Sequence, residues 1–598
     1  QKLCDWTGYE DAARTLLAPA VAGVGGENYP ALPFPFTAFP GDIDEAQQLV
    51  IAKRFAAYVS RNVRPYATHP RKGPHARVRV GYLSADFHDH ATAHLMLGMF
   101  KRHDRTRFEV YAYSYGPNDG SDYRSRIQGE AEHFVDLSTL SDREAAARIL
   151  EDEIDVLVDL KGYTREARTA ILAYRPAPIQ VAWLGYPGSM GAPFIDYALV
   201  DATVVPPEQT AHYTERLLYM PHCYQVNDDE QPIDPRTPTR TEAGLPETGV
   251  VFASFCAHYK LEPRVFDAWM RILKAVPGSV LWLIDGYGPA REHLRSTARS
   301  AGVDPQRLVF APRQRKAEHL ARHALADLFL DTFAYNAHTT MSDALWAGLP
   351  AITCPGRTFA TRVGASLLRA VGMPELIAPD ADAYVRTAVE LARDPAKRKA
   401  LREKLASLRG TTPLFDTAGF VRDWESRLLE IAPAPRSEQE RRAREDATLR
   451  QAIEALDRDE NAEAVRLTEA ALEAGCDRPD AWNLYAVALR RAKRFDLASS
   501  AYRRGLRRKP DSADRIGTYA NLLREQDRIH DSLPLYEEAV RLAPKSRTAV
   551  SNLAAALSAA GRPEDQLAVL ARGEALDPQD ADVHWDKALA LLMVGRLR

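Results

Sequence analysis

The chain has 598 residues, of which 45% are hydrophobic and 27% charged, a composition typical of a globular protein with several domains. Its formal net charge of −3 argues against a general nucleic-acid binder, which carries a basic excess. No apolar run approaches 18 residues and the five cysteines form no CxxC pair, so we expect a cytoplasmic protein with no membrane span, disulfide framework or zinc site.

Residues 1–75 are predicted to form an N-terminal helical preamble and linker. The amphipathic segment Asp44–Asn62 indicates a helix, and Arg64–Pro74 is a linker rich in proline and basic residues. The first residue is Gln1 rather than methionine, and no basic segment followed by an apolar run marks a signal peptide. We therefore expect the natural chain to begin upstream of this residue.

Residues 76–236 are predicted to form a first α/β lobe. Short runs rich in β-branched and aromatic residues indicate strands at Val78–Leu83, Phe108–Tyr115, Ile154–Leu160, Ile179–Leu184 and Tyr197–Val205. Helical segments such as Asp142–Glu153 lie between them. Some of these runs are apolar on both faces, as Val-Leu-Val at 156–158 shows, which is typical of a buried parallel sheet.

Residues 237–432 repeat this alternation after a polar, proline-rich break at Asp228–Glu247. Strands are predicted at Val250–Phe255, Val280–Ile284, Leu308–Ala311, Leu328–Leu330 and Ala351–Thr353, and helices at Pro263–Ala275, Ala317–Ala326 and Ser342–Ala347. The double alternation predicts two doubly wound, Rossmann-like α/β domains side by side. Such sheets bind ligands outside the carboxyl ends of their strands, so residues that follow a strand are the candidates for a site.

The end of the chain is predicted to be a charged linker, 433–446, followed by helical repeats over 447–598. Three prolines are spaced 34 residues apart, the period of a tetratricopeptide repeat: Pro510, Pro544 and Pro578. The segment Leu449–Cys476 resembles an earlier, irregular unit. The last unit stops after one helix, Ala581–Val594, which leaves an apolar face open, so we expect the natural chain to continue further.

A dense cluster of ionisable residues follows the first predicted strand. Its members are Asp86, His88, Asp89, His90 and His94. A histidine here is a candidate general base, because an imidazole with a pKa of about 6.5 accepts a proton near neutral pH. A metal site is the second interpretation, although no partner cluster elsewhere supplies further ligands. The third is a helix cap formed by Asp86 or Asp89, with the histidines packed around it.

A second cluster, Asp331–Asp343, follows a predicted strand and opens a helix. Free backbone N–H groups and the helix dipole at such a start bind an anion, and His338, Thr339 and Thr340 add donors. A diphosphate fits this chemistry, with Asp343 one turn further on for a ribose hydroxyl. The alternative is that Thr339 or Thr340 simply caps the helix.

Two further strand ends carry basic residues. Lys260 follows the strand Val250–Phe255 and is a candidate phosphate contact, although most lysines are solvated surface charges. Gln314–His319 follows Leu308–Ala311, where backbone groups often receive a base ring, and its alternative is a charged helix start. No G-x-G-x-x-G fingerprint, P-loop or D-x-D motif occurs, which argues against a dehydrogenase, a P-loop enzyme and a metal held on a nucleoside diphosphate.

These residues stand in motifs that resemble the catalytic region of glycosyltransferase family 41, the O-linked N-acetylglucosamine transferases, and specifically its bacterial members. The resemblance covers residues 77–430. The matching motifs are Val80-Gly-Tyr-Leu-Ser-Ala-Asp-Phe, His90 to Met96, Asp159-Leu-Lys-Gly-Tyr-Thr, Arg175-Pro-Ala-Pro-Ile-Gln, Trp183-Leu-Gly-Tyr-Pro-Gly, Tyr219-Met-Pro-His, Pro277-Gly-Ser-Val-Leu-Trp-Leu, and His338-Thr-Thr with Asp343-Ala-Leu-Trp-Ala-Gly. The family implies an α/β two-lobed GT-B-type fold, to which the repeats add an all-α solenoid.

The resemblance also implies a donor, a reaction and a set of residues. A UDP sugar, UDP-N-acetylglucosamine, binds mainly in the second lobe, and the sugar passes to Ser or Thr hydroxyls of proteins with inversion and without a metal or cofactor. The repeats imply protein or peptide acceptors. Catalytic roles are implied for His90, Asp86 and Lys260. Donor-binding roles are implied for Thr92, Gly185, Tyr186, Lys260, Gln314, Arg315, Lys316, His319, Arg322, His338, Thr339, Thr340 and Asp343.

The sequence departs from the animal members of this family at four places. Ala257 stands where they have a glutamine, Tyr335 where they have a cysteine near the sugar, and Asp89 where they have an asparagine. A further histidine upstream of the first strand has no counterpart in residues 42–45. The repeats follow the catalytic region here, whereas they precede it in the well-known members. Two alternatives stay open: a repeat-based scaffold with an inactive transferase domain, and a two-lobed enzyme that uses another nucleotide sugar.

Overall fold

The computed structural model describes residues 2–22, 30–39, 43–66, 77–286, 288–432, 438–473, 476 and 478–595. The chain divides into two compact units. The α/β unit comprises Gln1–Pro65, Arg77–Ala145 and Ile154–Ala432, and the helical unit comprises Tyr66–Ala76, Ala146–Glu153 and Pro433–Arg598. Most of the predicted linker Arg64–Pro74 lies outside the described residues, as do residues 433–437 before the repeats.

The α/β unit begins with helices that precede its first sheet: α1 (Tyr9–Ala22), α2 (Phe34–Thr37) and α3 (Glu45–Ser60). Asp44 starts α3 with a capping box. Its carboxylate accepts the N–H of Gln47, while the Gln47 side chain accepts the N–H of Asp44. This helix confirms the prediction at Asp44–Asn62.

The first lobe is a seven-stranded parallel sheet with the helices that connect its strands. Its strands are β1 (Val78–Ser84), β2 (Phe108–Ser114), β3 (His133–Asp136), β4 (Val156–Asp159), β5 (Ile179–Ala182), β6 (Tyr197–Asp201) and β7 (Arg216–Met220), and its helices are α4 (Ala91–Phe100), α5 (Asp122–Glu130), α6 (Asp142–Glu151) and α7 (Ala170–Ala173). The strand order β3-β2-β1-β4-β5-β6-β7 defines a doubly wound, Rossmann-like domain. The inner strand β4 is buried at every position, as expected for a sheet covered on both faces.

The second lobe is a five-stranded parallel sheet of order β10-β9-β8-β11-β12. Its strands are β8 (Val251–Ser254), β9 (Val280–Ile284), β10 (Leu308–Ala311), β11 (Leu328–Leu330) and β12 (Ala351–Ile352). Its helices are α8 (Pro263–Ala275), α9 (Gly288–Ser300), α10 (Lys316–Arg322), α11 (Thr339–Trp346), α12 (Val363–Ala370), α13 (Ala381–Arg393), α14 (Pro395–Leu408) and α15 (Thr417–Ile431). The two sheets confirm the prediction of two Rossmann-like lobes.

The last helix of the α/β unit, α15, packs against the first lobe. Nε1 of Trp424 donates to the Tyr82 hydroxyl at 2.8 Å, and this hydroxyl lies 2.9 Å from Nε2 of His103. Nδ1 of His103 lies 2.9 Å from Oε1 of Glu425, which also accepts the N–H of Asp104 at 2.8 Å. The His103 side chain is fully buried, so Glu425 is the acceptor that satisfies its Nδ1–H.

Replacing Glu425 with alanine is expected to lower the free energy of unfolding of the α/β unit by about 1–3 kcal/mol, because the buried Nδ1–H of His103 and the partly buried N–H of Asp104 lose their acceptor. Urea titration followed by tryptophan fluorescence measures this change. The control is Glu430→Ala on the same helix, since Glu430 is half exposed and pairs only at the surface. Equal unfolding curves for the two variants would show that the buried bonds contribute nothing.

The helical unit contains consecutive helices that pack as pairs. They are α16 (Glu438–Asp457), α17 (Asn461–Glu473), α18 (Pro479–Arg491), α19 (Phe495–Arg508), α20 (Ala513–Glu525), α21 (Ile529–Leu542), α22 (Arg547–Ala559), α23 (Pro563–Leu576) and α24 (Ala581–Met593). Pro510, Pro544 and Pro578 each lie in the turn after the second helix of a pair. The predicted linker 433–446 is wrong in part, because α16 already begins at Glu438. Within the described ranges, no helix combines the length and the apolar character that crossing a membrane requires.

Candidate active site

A cavity of about 1070 Å³ in the α/β unit is lined by residues of both lobes. Its first-lobe wall follows β1, β4 and β5 and includes Asp86, His90, Thr92, Lys161 and Gly185. Its second-lobe wall follows β8 and β11 and includes Ala257, Lys260, Tyr335, His338, Thr339 and Thr340. The lining therefore comes from the carboxyl ends of parallel strands, where open α/β sheets bind their ligands.

Residues of the N-terminal preamble form part of the cavity wall. Phe34, Pro35 and Ala38 line the cavity. The Phe34 ring lies 6.2 Å from the rings of both Tyr259 and Tyr335, its neighbours from the second lobe. The motifs of the sequence did not point to these residues, and the aromatic and proline-rich stretch at 33–36 was the available signal.

Asp86 is the centre of the first-lobe wall. Its carboxylate accepts hydrogen bonds from Nζ of Lys161 at 2.8 and 3.0 Å and from Oγ1 of Thr92 at 3.1 Å. The side chains of Asp86 and Lys161 are 6% and 5% exposed, so this ion pair is nearly withdrawn from water. Lys161 had no predicted role, although the residue follows β4 at the edge of the sheet where ligands bind.

His90 is the N-cap of α4, so neither Asp86 nor Asp89 caps this helix as the third interpretation of the cluster had it. Nδ1 of His90 accepts the N–H of Thr92 at 3.2 Å and lies 3.4 Å from Oδ2 of Asp86. The ring is 42% exposed and lines the cavity. Burial lowers the pKa of His90 below its ordinary value of 6.5; Asp86 opposes this change and Lys161 adds to it. The imidazole is therefore mainly neutral at pH 7.

The loop after β4 presents Lys161 to the cavity. The carboxylate oxygens of buried Asp159 accept the N–H groups of Lys161 and Gly162 at 3.1 and 2.8 Å, which fixes the turn. Gly162 has a φ of +57°, and a Cβ there would lie 2.3 Å from Cβ of Tyr186, so this position requires glycine. Gly185 lies close to the same loop, since a Cβ added at this position would lie 2.2 Å from the carbonyl oxygen of Leu160. Gly185 thus lines the cavity, while Tyr186 packs against the Lys161 loop.

Lys260 is the buried cation of the second-lobe wall. Its Nζ donates to the backbone carbonyl of Asn336 at 2.8 Å and lies 4.3 Å from the centre of the Tyr335 ring. The residue is 8% exposed and lines the cavity. Burial lowers the pKa of Lys260 below 10.5, although Cys256 and Asp331 oppose this change. An anion that enters the cavity therefore meets a cation with little competing water.

The segment after β11 is held in place by Asp331. Its carboxylate accepts the N–H groups of Thr332 at 2.8 Å and Ala337 at 2.6 Å, and Oγ1 of Thr353 at 2.6 Å. Burial raises the pKa of Asp331 to about 7, while these hydrogen bonds favour the ionised form. The carboxylate thus closes the loop that leads to His338.

The start of α11 faces the cavity through His338, Thr339 and Thr340. His338 is the N-cap, and the two threonines lie in the first turn, so the alternative in which a threonine caps the helix is wrong. The rings of His338 and Tyr335 stack at 4.6 Å with an interplanar angle of 25°. Burial lowers the pKa of His338 well below 6.5, so the ring is neutral.

The predicted nucleoside segment lies beside α11. Gln314 and Arg315 are exposed, and Arg315 is the N-cap residue of α10. Lys316 forms an ion pair with Asp343 in which both side chains are buried. Nε2 of His319 lies 4.0 Å from the other carboxylate oxygen of Asp343. The structure thus brings Lys316, His319 and Asp343 together, although they are outside the lining of the cavity.

Arg322 is a buried residue of the predicted nucleoside segment. It is 2% exposed, and its guanidinium donates to the carbonyl of Pro312 at 2.7 Å and to the side chain of Gln314 at 3.2 Å. The same group lies 4.5 Å from the centre of the Phe255 ring. Arg322 therefore supports the segment from its buried side, and its predicted contact with the donor stays a prediction.

Gln225 is a further wall residue that the sequence analysis missed. Its Nε2 donates to Oγ of Ser342 at 2.6 Å, which ties the end of the first lobe to α11. It is 1% exposed and lines the cavity. Its position between β7 and the break at Asp228–Glu247 gave no chemical signal.

Possible metal ligands gather away from the cavity lining. Among the residues that the structure describes, the group close enough to share one ion is Glu109, Glu132 and His133, at β2 and β3. Glu109 already pairs with Arg79 at 3.0 Å and Glu132 with Arg77 at 2.8 Å. Of the cluster after β1, Asp86, His88 and His90 line the cavity, and a reaction without a metal stays a prediction.

Two parallel α/β lobes, a cavity between their strand ends and a final helix packed on the first lobe define a two-lobed, GT-B-type glycosyltransferase fold. The sequence model of glycosyl transferase family 41 matches residues 3–237 and 229–424, and that of the tetratricopeptide repeat matches 449–513 and 520–581. The chain belongs to glycosyl transferase family 41. The match begins at residue 3, so the preamble is part of the family domain.

Known proteins similar to this chain include two curated relatives. The chain is 42% identical over 413 residues to the probable UDP-N-acetylglucosamine–peptide N-acetylglucosaminyltransferase SEC of Arabidopsis thaliana. This alignment covers 66% of this chain and 42% of that protein. The chain is 31% identical over 552 residues to the UDP-N-acetylglucosamine–peptide N-acetylglucosaminyltransferase of Caenorhabditis elegans. This alignment covers 72% of this chain and 48% of that protein. The chain thus spans less than half the length of each relative.

A solved structure of a mutant of the O-GlcNAc transferase of Thermobaculum terrenum is similar in fold. Its TM-score to this chain is 0.59 at 28% identity, and the similarity covers 65% of this chain and 74% of that one. The two-lobed architecture is thus shared with a solved member of the same class.

Proposed function

We propose that this chain transfers N-acetylglucosamine from UDP-N-acetylglucosamine to Ser or Thr hydroxyls of proteins, with inversion at the anomeric carbon and without a metal or cofactor. The observation that carries this proposal is the cavity, which joins His90, Lys260 and the start of α11. Membership of family 41 supports it, as do the names of the two relatives, which describe this transfer for those proteins.

The donor diphosphate is assigned to the second-lobe wall. Lys260 supplies a cation there, and the first turn of α11 supplies free N–H groups and the hydroxyls of Thr339 and Thr340. Asp343 then accepts from the ribose hydroxyls beside Lys316, and the backbone at 314–319 receives the uracil. Tyr335 closes the sugar end of this wall, so it limits the size of the transferred sugar.

The reaction exchanges one bond at the anomeric carbon for another. The acceptor oxygen bonds to this carbon from the face opposite the diphosphate, the bond to the diphosphate oxygen breaks, and its electron pair leaves with UDP. Negative charge grows on the leaving group, where Lys260 and the α11 start stabilise it. The proton of the acceptor hydroxyl passes to a phosphate oxygen of the leaving UDP. His90 lies on the first-lobe wall, where it contacts the acceptor oxygen during this step.

The acceptors are proposed to be cytoplasmic proteins, with nucleic acid and membranes excluded as partners. The helical unit supports protein acceptors, because stacked repeats offer an extended surface for peptides. Free cysteines, of which Cys4, Cys223, Cys256 and Cys476 are buried, fit a reducing compartment.

Incubation with radiolabelled nucleotide sugars and a cell lysate tests the transfer. Label from UDP-N-acetylglucosamine is expected to enter protein at the same rate with EDTA as with magnesium, because Lys260 takes the place of a metal at the diphosphate. A requirement for a divalent metal, or a preference for a GDP sugar, would contradict the proposal. If label entered protein from another UDP sugar instead, the transferred sugar would not be N-acetylglucosamine. If no donor labelled protein, the result would favour the alternative of a repeat-based scaffold with an inactive transferase domain.

Removing residues 433–598 is expected to leave UDP affinity within about twofold and to reduce transfer to full-length proteins by about tenfold or more, because a second binding surface is lost. The cut precedes α16, so no described helix is divided. Calorimetry with UDP and label incorporation measure the two effects. A short peptide acceptor is the control, and equal modification of full-length proteins by both chains would show that the repeats do not present acceptors.

A further inference from the structure

Nδ1 of His90 lies between two groups that require opposite protonation states. The backbone N–H of Thr92, 3.2 Å away, donates to a nitrogen that carries no proton. Oδ2 of Asp86, 3.4 Å away, would accept from a nitrogen that carries one. A neutral imidazole has one proton, so it satisfies only one of these partners, and the choice decides whether Nε2 donates or accepts.

Lys161 changes the balance between these two partners. Both oxygens of Asp86 already accept from its Nζ, at 2.8 and 3.0 Å, and Oδ2 also accepts from Oγ1 of Thr92. The ammonium thus offsets the negative charge that would draw a proton to Nδ1. The positive end of α4 acts in the same direction, because its free N–H groups favour a lone pair at the cap.

We propose that Lys161 is a positioning residue that keeps Nδ1 of His90 unprotonated, so that Nε2 carries the ring proton into the cavity. Its meaning for catalysis rests on the proposed transfer. In that reaction His90 donates a hydrogen bond to an oxygen of the donor or acceptor, and it does not remove the acceptor proton as a base.

The charges around His90 fix the sign of the effect. The ionisable groups that act most on the ring are Asp86, Lys161, His88 and Glu166, and Lys161 is the cation among them. Arg165 also lines the cavity, but its side chain is 88% exposed, so water screens its charge. Without it, the Asp86 carboxylate lies uncompensated beside Nδ1, which favours a proton on that atom and raises the pKa of His90. Nε2 then loses its proton in the neutral ring and regains one only when the ring becomes an imidazolium.

Nitrogen NMR of the full chain, labelled with ring-¹⁵N histidine and measured without donor, tests the proposal. The His90 signals are assigned by their loss in His90→Gln. The wild type is expected to show unprotonated Nδ1 and protonated Nε2, and Lys161→Met the reverse or an imidazolium. Lys161→Arg, which keeps the cation, is expected to retain the wild-type pattern. Lys101→Met is the matched control, because it removes an exposed lysine at the other end of α4.

Turnover against pH separates this role from a merely structural one. Lys161→Met is expected to lose about tenfold at pH 8, where Nε2 lacks its proton, and to recover as acid restores that proton. A protonated Nδ1 in the wild type would overturn the proposal, as would a wild-type pattern in Lys161→Met or an equal loss at every pH. Lys161→Gln takes the place of the methionine variant if that variant does not fold. The NMR measurement needs no transfer, so a failure of the proposed function leaves the tautomer result standing.

Discussion

Lys260→Ala is expected to lower turnover at saturating donor by about 10²- to 10³-fold, the effect of removing one preorganised group that stabilises transition-state charge. The ammonium is buried beside the α11 start, so its field at the leaving diphosphate is weakly screened. Initial rates of label transfer measure the loss. Burial lowers the pKa of Lys260 below 10.5. Wild-type turnover is therefore also expected to fall as the pH rises through this lowered pKa, because the ammonium loses its charge.

Lys274→Ala is the control for this variant, since Lys274 is exposed on α8 of the same lobe. Thermal unfolding of both variants checks that the fold survives the loss of the bond from Nζ of Lys260 to Asn336. A folded Lys260→Ala protein with near-normal turnover would mean that this lysine only supports its loop.

His90→Ala is expected to lower turnover by at least about 10²-fold, the smallest usual effect of losing either a general base or a preorganised hydrogen-bond donor. UDP affinity is expected to change little, because the diphosphate and nucleoside contacts are assigned to the other lobe. Label transfer at saturating donor and calorimetry with UDP measure the two quantities. His90→Gln is expected to be less impaired, since the amide nitrogen of glutamine preserves a donor near the place of Nε2.

The control for His90 is His222→Ala, an exposed histidine of the same lobe. Loss of UDP binding with turnover preserved at saturation would place His90 in the donor pocket instead. A His90→Gln variant as impaired as His90→Ala would favour a base over a donor.

The sequence predicted strands best where burial is two-sided. The inner strands β9 and β11 have their predicted bounds, because runs of apolar residues end where the buried sheet ends. The edge strand β10 also has its predicted bounds, because its four residues are all apolar although two are only partly buried. The missed strands, β3 and β7, are the two edges of the first sheet, and β3 has no fully buried residue. An edge strand is stabilised on one side only, so its sequence carries little of the pattern by which inner strands are recognised.

Many of the predicted site residues lie together around one cavity because the carboxyl ends of parallel strands converge, while their roles stay predictions. The sequence did not show which side chains turn toward the cavity. Arg322 lies in the predicted segment but packs on Phe255, and this direction depends on tertiary contacts. Lys161 and Asp86 are 75 residues apart in the chain, so their ion pair follows from the order of β1 and β4 rather than from any local motif.

The domain begins well before its first strand, because Phe34, Pro35 and Ala38 supply part of the cavity wall. A boundary drawn at the first strand, Val78, would cut away Phe34, Pro35 and Ala38 and leave the rings of Tyr259 and Tyr335 without their cover. A shortened chain would keep every strand and both sheets, yet its cavity would lose the wall that residues 34–38 supply. The family domain is thus larger than the Rossmann-like pair, because part of its cavity wall lies outside both lobes.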